Sequence, residues 1–171
     1  MSEYWDIYDK NRKLTGKIVE RGKPMTQDEY HLVVEVVIIN SKGEYLISKR
    51  TPNKHLPLMW EFTGGSVISG ENSISGAVRE AKEELGIDLD KNKATLFKSG
   101  IRQYRSFPDF NDIWVFEFEC DIDDIVLNEN ETCDAKWATA ETIKEMIENG
   151  EFVEYNELPF VDELFEHYSK R

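Results

Sequence analysis

The sequence predicts a single α+β domain, and three observations predict it. Residues 32–39 read LVVEVVII, a β-branched run with strand character; residues 73–85 switch to helical spacing; and two more strand-like runs precede two amphipathic stretches near the end of the chain. A length of 171 residues suits one domain with a substantial core, so residues 1–171 are assigned to it as a unit.

Taken in order, residues 5–8 read as a short strand, 9–15 as a turn and 17–19 as the returning strand of a hairpin. The run 32–39, interrupted only by Glu35, turns at 40–43 and alternates again over 44–49, which predicts a second hairpin with a buried first strand. Over 73–85 Ile74, Ala77, Val78, Ala81 and Leu85 recur at helical spacing, and Gly86 stands where helices commonly stop. Residues 96–105 and 113–120 predict two strands around a turn at 106–112, rich in Phe, Pro, Asp and Asn. Residues 121–134 are acidic and read as a solvated connection. Residues 139–148 predict a helix ending at Asn149 and Gly150, and 158–168 another that turns Val161, Leu164, Phe165 and Tyr168 inward.

Composition narrows the function. Apolar residues make up 40%, which suits a folded domain, and 34 acidic against 21 basic residues leave a formal charge of -13. That surplus repels polyanions and argues against general nucleic-acid binding. It also supplies the carboxylates that hard divalent cations need. Cys120 and Cys133 match neither a disulfide framework nor a zinc site, so free thiols in a reducing cytoplasm are expected. No signal peptide is visible before Lys17, and no run of eighteen apolar residues suggests a membrane span.

The segment from Gly64 to Ile87, GGSVISGENSISGAVREAKEELGI, joins a glycine loop to a carboxylate-rich helix. At about 100° per residue, Glu80, Glu83 and Glu84 fall within one arc beside the apolar stripe. Such a face can simply be solvated. It can also hold a cation that relieves the mutual repulsion of its acids, and oxygen donors without clustered His or Cys favour Mg²⁺, with Mn²⁺ as its substitute.

Gly65, Glu71, Arg79, Glu80, Glu83, Glu84, Gly86 and Ile87 resemble the Nudix box, G-x5-E-x7-R-E-U-x-E-E-x-G-U with U aliphatic. Every fixed position is matched, and Ala81 is smaller than the usual aliphatic residue. The resemblance implies a mixed sheet sandwiched between helices and a hydrolase of diphosphate linkages in nucleoside diphosphate-linked or related small substrates. It implies Glu80, Glu83 and Glu84 as metal ligands with the Gly64 carbonyl beside them, and a structural pairing of Glu71 with Arg79. By the same resemblance Glu131, six residues before Trp137, is a candidate general base or further ligand beside Glu83 and Glu84, with Glu129 as the neighbouring alternative. Arg50 is a candidate phosphate contact. Trp114, Tyr104, Phe107 and Phe110 are read as core, and His31, His55 and His167 as structural. The resemblance leaves a homodimer open.

The N-terminal half, with YWDIYDKNRKLTG, YHLVVEVVIINSKGEYLISKR and LPLMW, resembles the isopentenyl-diphosphate-isomerase branch of the same superfamily. That isomerase needs a cysteine and a histidine where this chain has Gly64 and Ser66, which disfavours isomerisation. A Nudix-fold binding module without catalysis is the third reading, and the complete set of box acids argues against it.

Overall fold

The computed structural model describes residues 2–103 and 107–168. Strands β1 (Tyr4–Tyr8) and β2 (Leu14–Glu20) form the first predicted hairpin, in a two-stranded sheet of their own. A seven-stranded mixed sheet follows, built from β3 (His31–Ile39), β4 (Tyr45–Arg50), β5 (Trp60–Glu61), β6 (Thr63–Ser66), β7 (Ala94–Arg102), β8 (Asp109–Glu117) and β9 (Thr132–Ala138). Helix α1 (Ser73–Leu85) covers one face, and α2 (Ala140–Glu148) and α3 (Val161–Tyr168) cover the other.

β3 lies at the centre. It runs parallel to β8 along its whole length, and its other edge pairs antiparallel with β6 over residues 33–36 and with β4 at Ile38 and Ile39. A strand with neighbours on both edges and helices over both faces needs no polar side, which is why its sequence is an almost unbroken apolar run. Leu32, Val34, Val36 and Ile38 meet Ala77, Ala81 and Leu85 of α1. Val37 and Ile39 point the opposite way, into the layer closed by Ile143 and Met146 of α2 and by Leu164, Phe165 and Tyr168 of α3. Glu35, the charge in that run, is buried with its carboxylate 3.4 Å from Arg102 Nη1.

The structure revises several boundaries. The second predicted hairpin is short, two residue pairs long, because beyond them β6 takes the edge of β3 and β5 the matching edge of β4. Within the predicted turn 106–112, Asp109 to Asp112 belong to β8; Asp109 is buried against Arg102, 2.6 Å from Nε, so its charge is compensated inside the sheet. Ser106, like Tyr104 and Arg105 of the preceding predicted strand, lies outside the described residues. The connection 121–134 is structured at both ends: Val126 and Asn128 donate N–H bonds to the Leu85 and Glu84 carbonyls at the end of α1, and Thr132 opens β9. The last helix begins at Val161 rather than 158, just after Pro159. No helix among the described residues is long and apolar enough to cross a membrane.

Candidate active site

β6 and α1 build the site together. β6 carries the sequence TGGS along the edge of β3, so Gly64 and Gly65 lie in a strand and not in a loop as the sequence reading had them. Both glycines are required by close approach. A Cβ at Gly64 would stand 2.3 Å from the Val34 carbonyl oxygen, and one at Gly65 would stand 2.5 Å from Glu80 Oε1. The space a side chain would take at position 65 is therefore filled by a carboxylate. The same crowding at position 64 opposes the cysteine that the isomerase reading would need.

α1 starts where the Asn72 side chain accepts the Ser75 N–H at 3.0 Å, and ends at Gly86, whose φ of 71° is the left-handed conformation glycine favours. Its three candidate carboxylates do not all face the same way. Glu80 and Glu84, four residues apart, are buried toward β6, whereas the Glu83 side chain is 53% exposed. Arg79 joins the group: its guanidinium lies 3.0 Å from Glu71 Oε1 and 2.9 Å from both Glu80 Oε1 and Glu83 Oε2, and donates to the Ser66 carbonyl at 2.9 Å. Glu71 also accepts the Ile68 N–H, so one acid–base pair fixes the loop between β6 and α1.

Glu84 has different company. Its Oε2 accepts a hydrogen bond from the Thr63 hydroxyl, and its Oε1 lies 3.3 Å from Lys54 Nζ. The same ammonium is 3.1 Å from Glu131 Oε2, so Lys54 brings together two candidate residues that are 47 positions apart in sequence. Glu129 makes no such contact with Lys54 among the described residues. Arg50 lies with Nη1 2.6 Å from Glu61 Oε2 and Nε donating to the His55 carbonyl at 2.7 Å. Lys54, Thr63 and Glu61 were missed by sequence reasoning. Thr63 adjoins Gly64 and could have been suspected from that; Lys54 sits in the turn between β4 and β5, and no spacing connects it with the helix it reaches.

These acids are held against their usual ionisation. Burial pushes Glu80 up to about 7 in spite of Arg79, with Glu84 adding repulsion, and it pushes Glu61 up to about 7 in spite of Arg50. Burial also raises Glu84, partly offset by Lys54 and Thr63. For Lys54 burial lowers the pKa, but Glu84, Glu61 and Glu131 together raise it further, so the ammonium stays charged.

Among the described residues no three His, Cys, Asp or Glu side chains already converge as a metal-holding group. Two basic side chains stand among them instead, Arg79 between Glu80 and Glu83 and Lys54 between Glu84 and Glu131. The donor chemistry nonetheless fits a hard divalent cation: the acids outnumber the bases, all the donors are oxygens, and Glu80 fills the room that Gly65 leaves.

Comparisons with known proteins bear on the family and the fold. The family model described as the NUDIX domain matches residues 29–158. An uncharacterized Nudix hydrolase of Listeria monocytogenes is 37% identical over 168 residues, spanning 95% of this chain and 94% of that protein. A Nudix hydrolase of Deinococcus radiodurans is 30% identical over 87% of this chain and 86% of its own length. The crystal structure of DR0079 from Deinococcus radiodurans superposes with a TM-score of 0.72 at 23% identity, covering 97% of this chain and 99% of that one. That of a MutT protein from Methanosarcina mazei gives 0.61 at 24% identity, over 82% and 94%.

Proposed function

The chain belongs to the NUDIX family, whose members hydrolyse nucleoside diphosphate-linked substrates, and we propose from this that it is a Mg²⁺-dependent hydrolase of the diphosphate linkage in a small substrate. The observation that carries the reading is the pair of buried carboxylates held on β6 inside the matched segment, Glu80 against Gly65 and Glu84 on the Thr63 hydroxyl.

We assign Glu80, Glu83, Glu84 and the Gly64 carbonyl to the metal, with Mn²⁺ able to replace Mg²⁺. A divalent cation supplies charge neutralisation at the diphosphate and makes water acidic enough to attack phosphorus. The protein's own groups do the rest. Gly64 and Gly65 keep the strand free of side chains where the acids approach. Arg79, tied to Glu71 and the Ser66 carbonyl, sets the direction of Glu80 and Glu83. Arg50 is assigned to substrate phosphate oxygens, exchanging its contact with Glu61 for them. Glu131, half exposed on a loop bonded to the end of α1, is assigned as the base that accepts the proton of the attacking water. The free thiols of Cys120 and Cys133 suit a cytoplasmic enzyme.

A panel of nucleoside triphosphates, nucleotide sugars, dinucleotides and prenyl diphosphates, assayed with Mg²⁺ for phosphate or pyrophosphate release, tests this reading. At least one nucleoside diphosphate derivative is expected to turn over and to stop on chelation. Full activity after exhaustive chelation contradicts the mechanism. Thermal stabilisation by these compounds without turnover supports the binding module instead.

A further inference from the structure

The hairpin of β1 and β2 precedes the residues matched by the family model, and among the described residues it forms a sheet of its own, joined by a single bridge from Tyr8 to Tyr30 just before β3. Its placement depends on the contacts it makes. The Trp5 ring stacks on His31 at 4.3 Å and 18°, and Tyr8 exchanges backbone hydrogen bonds with Tyr30 at 2.8 and 3.1 Å. From that seat it reaches the loop before α1 directly at one point, and the first residue of α1 through Asp112 at another.

The first point is Asp6. Its Oδ1 accepts the Ser69 hydroxyl at 2.7 Å, its Oδ2 accepts the Gly70 N–H at 2.8 Å, and the Ser69 N–H donates to the Tyr4 carbonyl at 2.7 Å. The second is Arg12, at the tip of the hairpin. Its guanidinium donates to both carboxylate oxygens of Asp112 and to the Ser99 hydroxyl, and lies over the Phe110 ring at 5.3 Å. Asp112 in turn accepts the hydroxyl of Ser73, the first residue of α1, and that hydroxyl accepts the Trp114 indole N–H at 2.8 Å.

Arg12 has a φ of 61°, a left-handed conformation that a non-glycine residue adopts at a cost. A glycine there would avoid that cost but could not reach Asp112. Between the two clamps, at Ser69–Gly70 and at Ser73, lies Glu71, whose carboxylate holds Arg79, which holds Glu80 and Glu83. The hairpin thus sits at the head of a path, made of polar contacts and of the chain bonds that flank Glu71, that ends on two of the carboxylates assigned to the metal.

We infer that Asp6 and Arg12 are positioning residues of the hydrolytic site: the hairpin clamps the loop before α1 from both sides, so that Glu71 and Arg79 present the helix carboxylates in a set direction. This rests on the assignment of those carboxylates to a divalent cation. A hairpin that only adds stability would leave the cation's affinity unchanged in protein that is still folded.

The experiment compares the parent protein with Arg12→Ala, Arg12→Lys and Asp6→Asn, each held well below its own melting midpoint. Mn²⁺ alone is titrated by electron paramagnetic resonance, and amide hydrogen exchange is followed over residues 67–76. Loss of an outer partner of a metal ligand commonly weakens binding by about 10- to 100-fold; we expect about tenfold for Arg12→Ala, about threefold for Asp6→Asn, and partial recovery in Arg12→Lys. Exchange over 67–76 should quicken in the same order. If Arg12→Ala fails to fold, Asp6→Asn, which leaves the Asp112 cluster intact, decides the matter. Parent-like Mn²⁺ affinity and exchange in the folded variants overturn the hairpin's role and leave the hydrolase reading standing. A parent protein with no Mn²⁺ affinity overturns the metal assignment first and the hairpin's role with it.

Discussion

Asp112 and Glu84 are buried to the same extent, each with a side chain 2% exposed, and are held in opposite ways. Asp112 is surrounded by donors from Arg12, Ser73 and Ser99; burial raises its pKa, but these bonds outweigh burial and keep it below the usual carboxylate value. Glu84 has one hydroxyl and one lysine, shares that lysine with Glu131, and ends with its pKa raised. Burial therefore does not separate an acid that the fold satisfies from one that we assign to the metal. The supply of donors does: Asp112 is satisfied by the fold, whereas Glu84 and Glu80 keep a demand for positive charge that the fold leaves partly unmet.

The largest expected effect comes from exchanging acid for amide at the two positions. Glu84→Gln should lower turnover by about a hundredfold or more, with no fall in melting temperature, because it removes a charge the metal-free fold does not need. Asp112→Asn should lower turnover less, by loosening the hold on Ser73, and cost about 2–3 kcal/mol of stability, since it breaks a largely buried ion pair and strands part of the Arg12 guanidinium. For a chain of this size that is a melting shift of roughly 5–10 °C. Calorimetry beside steady-state kinetics reads both, and a stability loss in Glu84→Gln as large as that in Asp112→Asn would erase the distinction.

A smaller effect should appear as pH changes in the metal-free protein. Glu80 and Glu61 have folded pKa values near 7, raised from 4.5. The folded state then binds more protons than the unfolded chain between those values, so their contribution to stability declines as pH rises from about 4.5 to about 7 and is flat above. Asp112 is lowered, so its contribution is present above the unfolded value of 3.8 and is lost only as pH falls below that window. The two kinds of acid therefore act in separate ranges. Metal-free protein is expected to melt a few degrees lower at about pH 7.5 than at about pH 5, and added Mg²⁺ should recover more at the higher pH, where the acids are ionised. A metal-free melting temperature that rises over this range would show that Glu80 and Glu61 are not strained by burial.

The same contrast explains what could be read from the sequence. Continuous apolar character identified β3, and helical spacing with Gly86 identified α1 to the residue, because each is set by local pattern and burial. Spacing put Glu80, Glu83 and Glu84 on one arc of the helix, and it was the resemblance to the Nudix box that made them candidate ligands. β6 was not, since TGGS has poor strand propensity and is a strand only because the β3 edge pairs with it. β9 was not: Cys133, Ala135 and Trp137 do alternate with Asp134 and Lys136, but the run follows directly on an acidic stretch and its pairing with β4 is decided across the sheet. Asp109–Asp112 looked like a turn because buried acids in a strand require distant partners, Arg102 and Arg12, which composition does not reveal. For the same reason the sequence offered candidate carboxylates for the site and did not show that Lys54 stands between two of them.

Lys54 offers the finest test of the contrast. It is 22% exposed, touches Glu84 and Glu131, and sits in a turn whose Leu56 and Leu58 have φ values of 54° and 60°. If Glu84 is an acid in want of a cation, this ammonium is its provisional partner, and a divalent ion must compete with it. Lys54→Met should then do two things of opposite sign: lower the melting temperature of the metal-free protein slightly, and tighten Mn²⁺. A partly exposed pair of this kind contributes about 0.5–1 kcal/mol, which corresponds to roughly a two- to fivefold fall in Kd for Mn²⁺. Isothermal titration of parent and variant at one ionic strength reads the difference, and added salt should shrink it by screening the exposed Glu131 contact more than the buried Glu84 one. Weaker Mn²⁺ binding in Lys54→Met would mean that the lysine supports the site instead of standing in for its cation, and Glu84 would then have to be counted with Asp112 among the acids that the fold has already satisfied.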